Sequence, residues 1–387
     1  MLKPRFVFVG PLVGAALCCF QPVGNAQQPA AQAPKPVQPQ VWPPPAPTQV
    51  PATGQTPPLA QRPAESPIPQ NGQIQLSVVV TDRAGNPVAG LSQSDFALLD
   101  NNRPTPITAF QAYTADKPPA QPVQVILVID TANVDFQSVS YSRFGIDQFL
   151  RQNQGRLANP VSIFWLTDEG IDAERNPSTD GMALAAQLDA TAGKLREMGR
   201  AAGTWGAIER FQLSLEMLDR IAQSEAREPG RKLLLWIGPG WPMLNNPNLQ
   251  MSWKEQQQLF GNIVELSTLL REAHMVLYSV SHGMPDMNTY MYEGYVKGVK
   301  KASQAYLPNL DLKVLAVQSG GLALPPNNDL AGQIEQCVRD ASAFYTLGFM
   351  PPRADGPNEY HELKVRVDKP GLTARTRTGY YNQPPAQ

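Results

Sequence analysis

The chain has 387 residues, 42% of them hydrophobic, which is enough for at least one full-sized core; its 39 prolines exceed what one globular fold carries, so part of it is not a packed domain. Its 32 basic and 33 acidic residues leave a formal charge of -1 and no basic block that could follow a phosphate backbone, so nucleic acid is excluded as an expected partner.

At the start, Lys3 and Arg5 precede an apolar run from Phe6 to Phe20, the layout of a secretory signal and too short for a comfortable membrane span. Gly24, Asn25 and Ala26 offer the small residues a signal peptidase reads, which predicts a signal over residues 1–26 and an exported protein, periplasmic or extracellular. An uncleaved anchor is the alternative and the only expected membrane contact. Leu17 is bulky where attachment of lipid to Cys18 would prefer a small residue. Once the signal is removed, Cys337 is the only cysteine, which rules out an internal disulfide framework.

Residues 27–72 are rich in Pro, Gln and Ala and cannot sustain ladders; they read as a solvated, extended linker or as a tail without a role. Over residues 73–118 a small β module is expected. Ile74, Leu76, Val78 and Val80 alternate on one strand face, residues 83–87 form a turn, residues 95–100 form a second strand, and a third runs through Ile107 and Phe110. Such a unit is too short to hold a core alone.

From Val123 the pattern changes to apolar runs at 125–129, 161–166, 232–237 and 275–280, separated by amphipathic stretches, as in a parallel sheet covered on both faces. Helices are expected from about Ser142, with Phe144, Phe149 and Leu150 inward, then over 181–198 and 206–224, and along the stripe Leu259, Ile263, Leu266 and Leu270. Short helices follow at 312–317, stopped by Gly320 and Gly321, and at 331–341. Strands at 344–349, 362–367 and 375–381 close the chain; neither they nor the first β unit can bury an apolar face alone, so residues 343–382 are expected to pack with residues 73–118 around an inserted α/β domain at 119–342.

Five segments, VVVTDRAGNPVAGLSQSDFALLDNNRPTPITAF, VILVIDTANVDF, LAVQSGGLALPPNNDL, FYTLGFMPP and YHELKVRVDKPGLTARTRTGYY, together resemble the von Willebrand factor type A-related domain of acidobacterial exported proteins, nearly end to end over the ordered region. The resemblance implies an α/β fold, a doubly wound and mostly parallel sheet of the von Willebrand factor type A kind. It also implies a metal-ion-dependent adhesion site at the carboxyl ends of the strands, where ligands of open α/β sheets gather. In that superfamily an Asp-x-Ser-x-Ser loop, a Thr and a further Asp hold a divalent cation.

Here that pattern is degraded. Asp130 matches the first acid, but Ala132 and Val134 stand where the serines belong. Thr204 matches the threonine, and the third acid is replaced by Gly238, Pro239, Gly240 and Trp241. Asp130 and Thr204 as the only metal ligands would leave magnesium held mostly by water, so no cofactor is expected. Asn133 and Asp135 are the candidate substitutes; loop ordering by Asp130 and helix capping by Thr204 are the structural alternatives.

Other chemistry is sparse. The three histidines lack zinc-helix spacing and read as surface or strand-edge residues; Ser281 and His282 are expected to diverge as strand neighbours; Cys337 reads as a buried, inert thiol. No nucleophile elbow, phosphate loop or dinucleotide fingerprint is present. Trp205, Trp236, Trp241 and Trp253 fall around the predicted loops, with Trp236 expected in the core and Trp241 exposed. The expected function is therefore non-enzymatic binding of a protein or cell-surface polymer through a loop surface carrying Asn133, Asp135, Trp205 and Trp241. Alternatives are a structural envelope component mediating self-assembly and, less favoured, a hydrolase using Asp168 and Glu169.

Overall fold

The computed structural model describes residues 72–114, 116–167, 170–192, 203–244, 251–286 and 288–384. The expected signal and all but the last residue of the linker lie outside the described residues.

The first ordered strand, β1 (Ile74–Thr81), buries Ile74, Leu76, Val78 and Val80 on one face. A short β2 (Phe96–Asp100) follows, entered through a turn in which the Ser92 backbone N–H donates to Asp95. The single third strand expected from the sequence is two, β3 (Arg103–Thr105) and β4 (Ala109–Thr114). Pro106, which has no N–H for a ladder, lies in the break between them.

The α/β part opens with β5 (Gln124–Asp130), buried from Val125 onward, and α1 (Phe136–Arg151). That helix starts earlier than expected because Asp135 caps it, its carboxylate accepting from Ser138 N at 2.7 Å. Phe144, expected inward, is 60% exposed, while Ser142 and Ile146 are buried. Two residues are about 200° of helical turn, so 144 cannot share the face of 142 and 146.

Next come β6 (Arg156–Thr167), β7 (Gly170–Asp180), α2 (Gly181–Ala192) and α3 (Gly203–Glu225). Strand β7 had no counterpart in the sequence pattern: it is polar, carries Pro177, and pairs antiparallel with β6 at the sheet edge, where polar residues and a missing donor are tolerated. The expected helix over 181–198 is described only as far as Ala192, and its remainder lies outside the described residues. The chain continues through β8 (Lys232–Ile237), α4 (Trp253–Glu272) and β9 (Met275–Val280), then α5 (Leu312–Ser319), ended by Gly320 at φ 92°, and α6 (Leu330–Val338). The closing strands are β10 (Ala343–Phe349), β11 (Glu359–Val367), β12 (Thr373–Arg375) and β13 (Gly379–Asn382), the last two replacing one expected strand.

These elements form a five-stranded sheet ordered β7-β6-β5-β8-β9, parallel except for β7, and two four-stranded sheets, β12-β1-β10-β4 and β13-β11-β2-β3. The fold is mixed α/β, with a mostly parallel sheet covered by helices. Ile126 and Val128 of β5 face Phe211, Leu215 and Leu218 of α3 and Leu259 and Ile263 of α4. Val125, Leu127 and Ile129 face the opposite way, onto Ile146, Phe149 and Leu150 of α1, Leu188 of α2 and Ile334 of α6. Burial on both faces is why these strands read as continuous apolar runs rather than alternations.

The two smaller sheets enclose a core of their own, with Leu76, Val78, Phe96, Leu98, Leu347 and Leu363 between them. Each sheet takes strands from both ends of the described chain. At residues 106–108 and again at 376–378 the backbone passes from one sheet to the other, which splits what sequence pattern alone reads as single strands.

A buried polar cluster fastens these sheets to the α/β part. Asp340 Oδ2 accepts from Tyr278 Oη of β9 at 2.6 Å and from Arg375 of β12 at 2.5 Å, and Arg231 donates to the Asp340 carbonyl at 2.7 Å. The Arg231 guanidinium lies over the Phe344 ring, 4.5 Å from its centroid. His361 also departs from expectation. It is 4% exposed inside the paired sheets, with Nδ1 2.7 Å from Asp100 Oδ1, and Tyr380 Oη donates to the other oxygen of Asp100. Cys337 is fully buried.

Candidate functional site

Asp130 ends β5, and its side chain is 1% exposed. Its Oδ1 accepts from Ala132 N at 3.1 Å, Asn133 N at 2.9 Å and Asn133 Nδ2 at 3.1 Å; its Oδ2 accepts from Asn133 Nδ2 at 3.0 Å and from the Trp236 indole at 2.9 Å. Burial raises the Asp130 carboxyl above its ordinary range, and these donors, Trp236 first, oppose the rise. The carboxylate therefore orders the loop that leaves β5, while the cap of the following helix is Asp135.

The residues present do not fit a divalent cation. Trp236 projects from the adjacent strand β8 and its N–H donates to Asp130 Oδ2, which also accepts from Asn133, so the lone pairs a metal would need are already engaged. Ala132 and Val134 are buried and carry no donor atoms. At the third loop Gly238 has φ 146°, and a Cβ there would lie 2.8 Å from Asp130 Cβ, so an acidic side chain has no room at that position. Among the described residues no group of three or more His, Cys, Asp or Glu has metal-binding spacing.

Four further sequence candidates separate. Asn133 turns inward, its amide bridging Asp130 and Ser214 Oγ at 3.0 Å, rather than presenting itself on the loop surface. Asp135 is exposed but engaged as the cap of α1. Trp205 is 53% exposed in the first turn of α3. Trp241 corrects the expectation of exposure: it is 2% exposed, donates to the Leu310 carbonyl at 2.9 Å and meets the Trp236 ring edge-on at 5.1 Å. The Gly-Pro-Gly-Trp-Pro run signalled a loop, but Trp241 folds back under the residues that precede α5, because a large ring gains more from burial than from display. Thr204 lies inside α3 rather than before it; its side chain, like Asp168 and Glu169, lies outside what the structure describes.

A crevice of about 360 Å³ opens over the carboxyl ends of β5, β8 and β9, lined by residues that follow each of those strands. Val134, Pro239 and Met284 give it apolar walls, and His282, Asp286 and Lys313 give it polar ones. Tyr141 of α1 packs against His282 in a tilted arrangement, ring centroids 4.6 Å apart, and donates to the Asn328 carbonyl at 2.6 Å. Asp286 accepts from Thr289 Oγ1 at 2.9 Å and from Asn288 N at 3.0 Å, and these bonds, with the Lys313 charge, hold its carboxyl below the usual range. Ser281 and His282 both line this crevice. Strand β9 ends at Val280, so the alternation that would have separated them does not extend to them.

Sequence reasoning missed His282, Asp286 and Lys313 as crevice residues. The Gly283 and Pro285 punctuation directly after an apolar strand was the available signal, since such loops sit at the ligand end of an open α/β sheet. Two exposed tryptophans are Trp205 and Trp253, the latter 59% exposed at the start of α4. Helix α4 follows the carboxyl end of β8; α3 runs the other way to deliver its last turn to the start of β8, where the Lys232 ammonium donates to the Glu225 carbonyl at 2.8 Å. Both rings therefore rise on the side of the sheet that carries the crevice.

No protein-family model matches the chain. No curated protein matches it in sequence. A similar solved structure is the human COPII-coat protein Sec24c, at 9% sequence identity and a TM-score of 0.35, over 72% of this chain. The chain spans 46% of the length of that protein.

Proposed function

We propose that this chain is an exported, non-enzymatic binding protein whose α/β part is of the von Willebrand factor type A-related kind, with its metal-ion-dependent adhesion site converted into a packed, metal-free support. The observation that carries the reading is the Trp236 indole donating to Asp130 where a cation would otherwise coordinate. The order β7-β6-β5-β8-β9, winding outward in both directions from β5, agrees with a doubly wound sheet. Recognition of a protein or cell-surface polymer would use the crevice beside Val134 and His282 and the exposed ring of Trp205. Aromatic rings combine large contact area with few rotors, which suits them to anchor a partner.

Capture of partners from envelope extracts by the immobilised chain, with and without chelator, tests this. The expected result is a specific partner retained in chelator and released by Trp205→Ala. Release by chelator alone contradicts the reading, and concentration-dependent oligomers with no captured partner would favour self-assembly instead.

A further inference from the structure

A second feature lies away from the strand ends, in a groove of about 550 Å³ between α3 and α4. Asp219 of α3 forms its floor and is 4% exposed. One carboxylate oxygen accepts from Gln223 Nε2 at 2.6 Å; the other, Oδ1, is buried without a hydrogen-bond partner. Buried carboxylate oxygens are ordinarily satisfied, since leaving one bare costs about 1–3 kcal/mol. The charges around it do not supply the missing donor. Glu265 of α4 and Glu216 of α3 repel it, and Arg220, the nearby cation, is paired with Glu216 at 2.5 Å. Glu272, also on the groove wall, pairs with Arg271 at 3.3 Å. Burial and these like charges together raise the Asp219 carboxyl to about 6.

An apolar residue at 219 would pack without this cost, so the arrangement is suited to a positive donor arriving from outside. A hard metal ion is a poor candidate, because no set of three acidic or imidazole ligands with suitable spacing occurs among the described residues. An organic cation on a stem fits better. The groove offers Val264 and Leu269 for the stem, Glu265 at the rim, and Asn358 and Gln383 opposite.

We propose that the groove between α3 and α4 binds a guanidinium or ammonium side chain of a partner protein, with Asp219 as its buried anchor and Glu265 as its rim contact. This surface is separate from the strand-end crevice and does not depend on the reading proposed for it.

The test is a titration at low salt, followed by the NMR signal of the Asp219 side-chain carboxyl, with the blocked tripeptide acetyl-Gly-Arg-Gly-amide as probe and its lysine and citrulline analogues and spermidine as comparisons. Saturable binding of the arginine or lysine peptide is expected, about tenfold weaker at pH 5 than at pH 7 because the cation must displace the Asp219 proton. Asp219→Asn should weaken it about tenfold and Glu265→Gln about threefold, charge-assisted contacts being lost in each. Equal binding of the citrulline peptide, equal affinity in Asp219→Asn, or saturation by spermidine but by no peptide would overturn the proposal. So would the absence of a saturable shift at millimolar peptide.

Discussion

At the scale of single residues, Asp130 and Trp236 show how a carboxylate at the end of a buried strand is held as a structural group. Removing the indole donor while keeping an aromatic ring, Trp236→Phe, leaves a buried carboxylate oxygen short of a partner; urea unfolding should record a loss of about 2–3 kcal/mol. Gly238→Ala should cost about 1–3 kcal/mol by the same measurement, because the added Cβ meets Asp130 at 2.8 Å and φ is 146°. Asp219 gives a pH signature. Its folded carboxyl is raised to about 6 from 3.8, so the folded state holds the proton more tightly than the unfolded one. The resulting stabilisation is complete below about pH 4 and is lost as pH rises through 6, amounting to about 1 kcal/mol after allowance for solvent in the open groove. Asp219→Asn should abolish that fall between pH 4 and 7, and an unchanged stability profile would contradict it. The resemblance gave the expectation of a degraded cation loop at Asp130, Ala132, Val134 and Gly238. The donors that occupy Asp130 were invisible, since Trp236 reaches it across 106 positions of chain through strand pairing.

Among the elements, legibility followed periodicity. Strands β8 and β9 coincide with their apolar runs, because burial on both faces leaves a continuous signature. Strand β7 was hidden because an edge strand needs no apolar row, and its polar residues with Pro177 resemble a loop. Helix α1 was entered late and one ring misdirected: its buried stripe begins at Val139, just inside the cap that Asp135 supplies, and continues through Ser142 and Ile146 rather than Phe144. Trp241 was misjudged because the turn residues around it specify backbone course and say nothing of where the ring packs. The junction between the paired sheets and the α/β part rests on Asp340, Arg375 and Tyr278, a set that no local pattern brings together. Arg375→Ala removes the cation beside a buried carboxylate and should destabilise the chain by about 3–5 kcal/mol; calorimetric unfolding near the wild-type temperature would contradict this.

On the scale of the whole molecule, the first and last described strands share two sheets around one core, and the five-stranded sheet lies between them in sequence. The sequence raised the expectation of such packing by a simple argument, that neither terminal set of strands could bury its apolar face alone. The polar crevice at the strand ends did not, because its residues come from the irregular chain after β9. Central to the proposed function is Asp130, whose two carboxylate oxygens both accept from protein donors. Isothermal calorimetry of the intact chain with magnesium tests this most directly. The account predicts no saturable heat at millimolar magnesium; sub-millimolar binding that disappears in Asp130→Asn would contradict it.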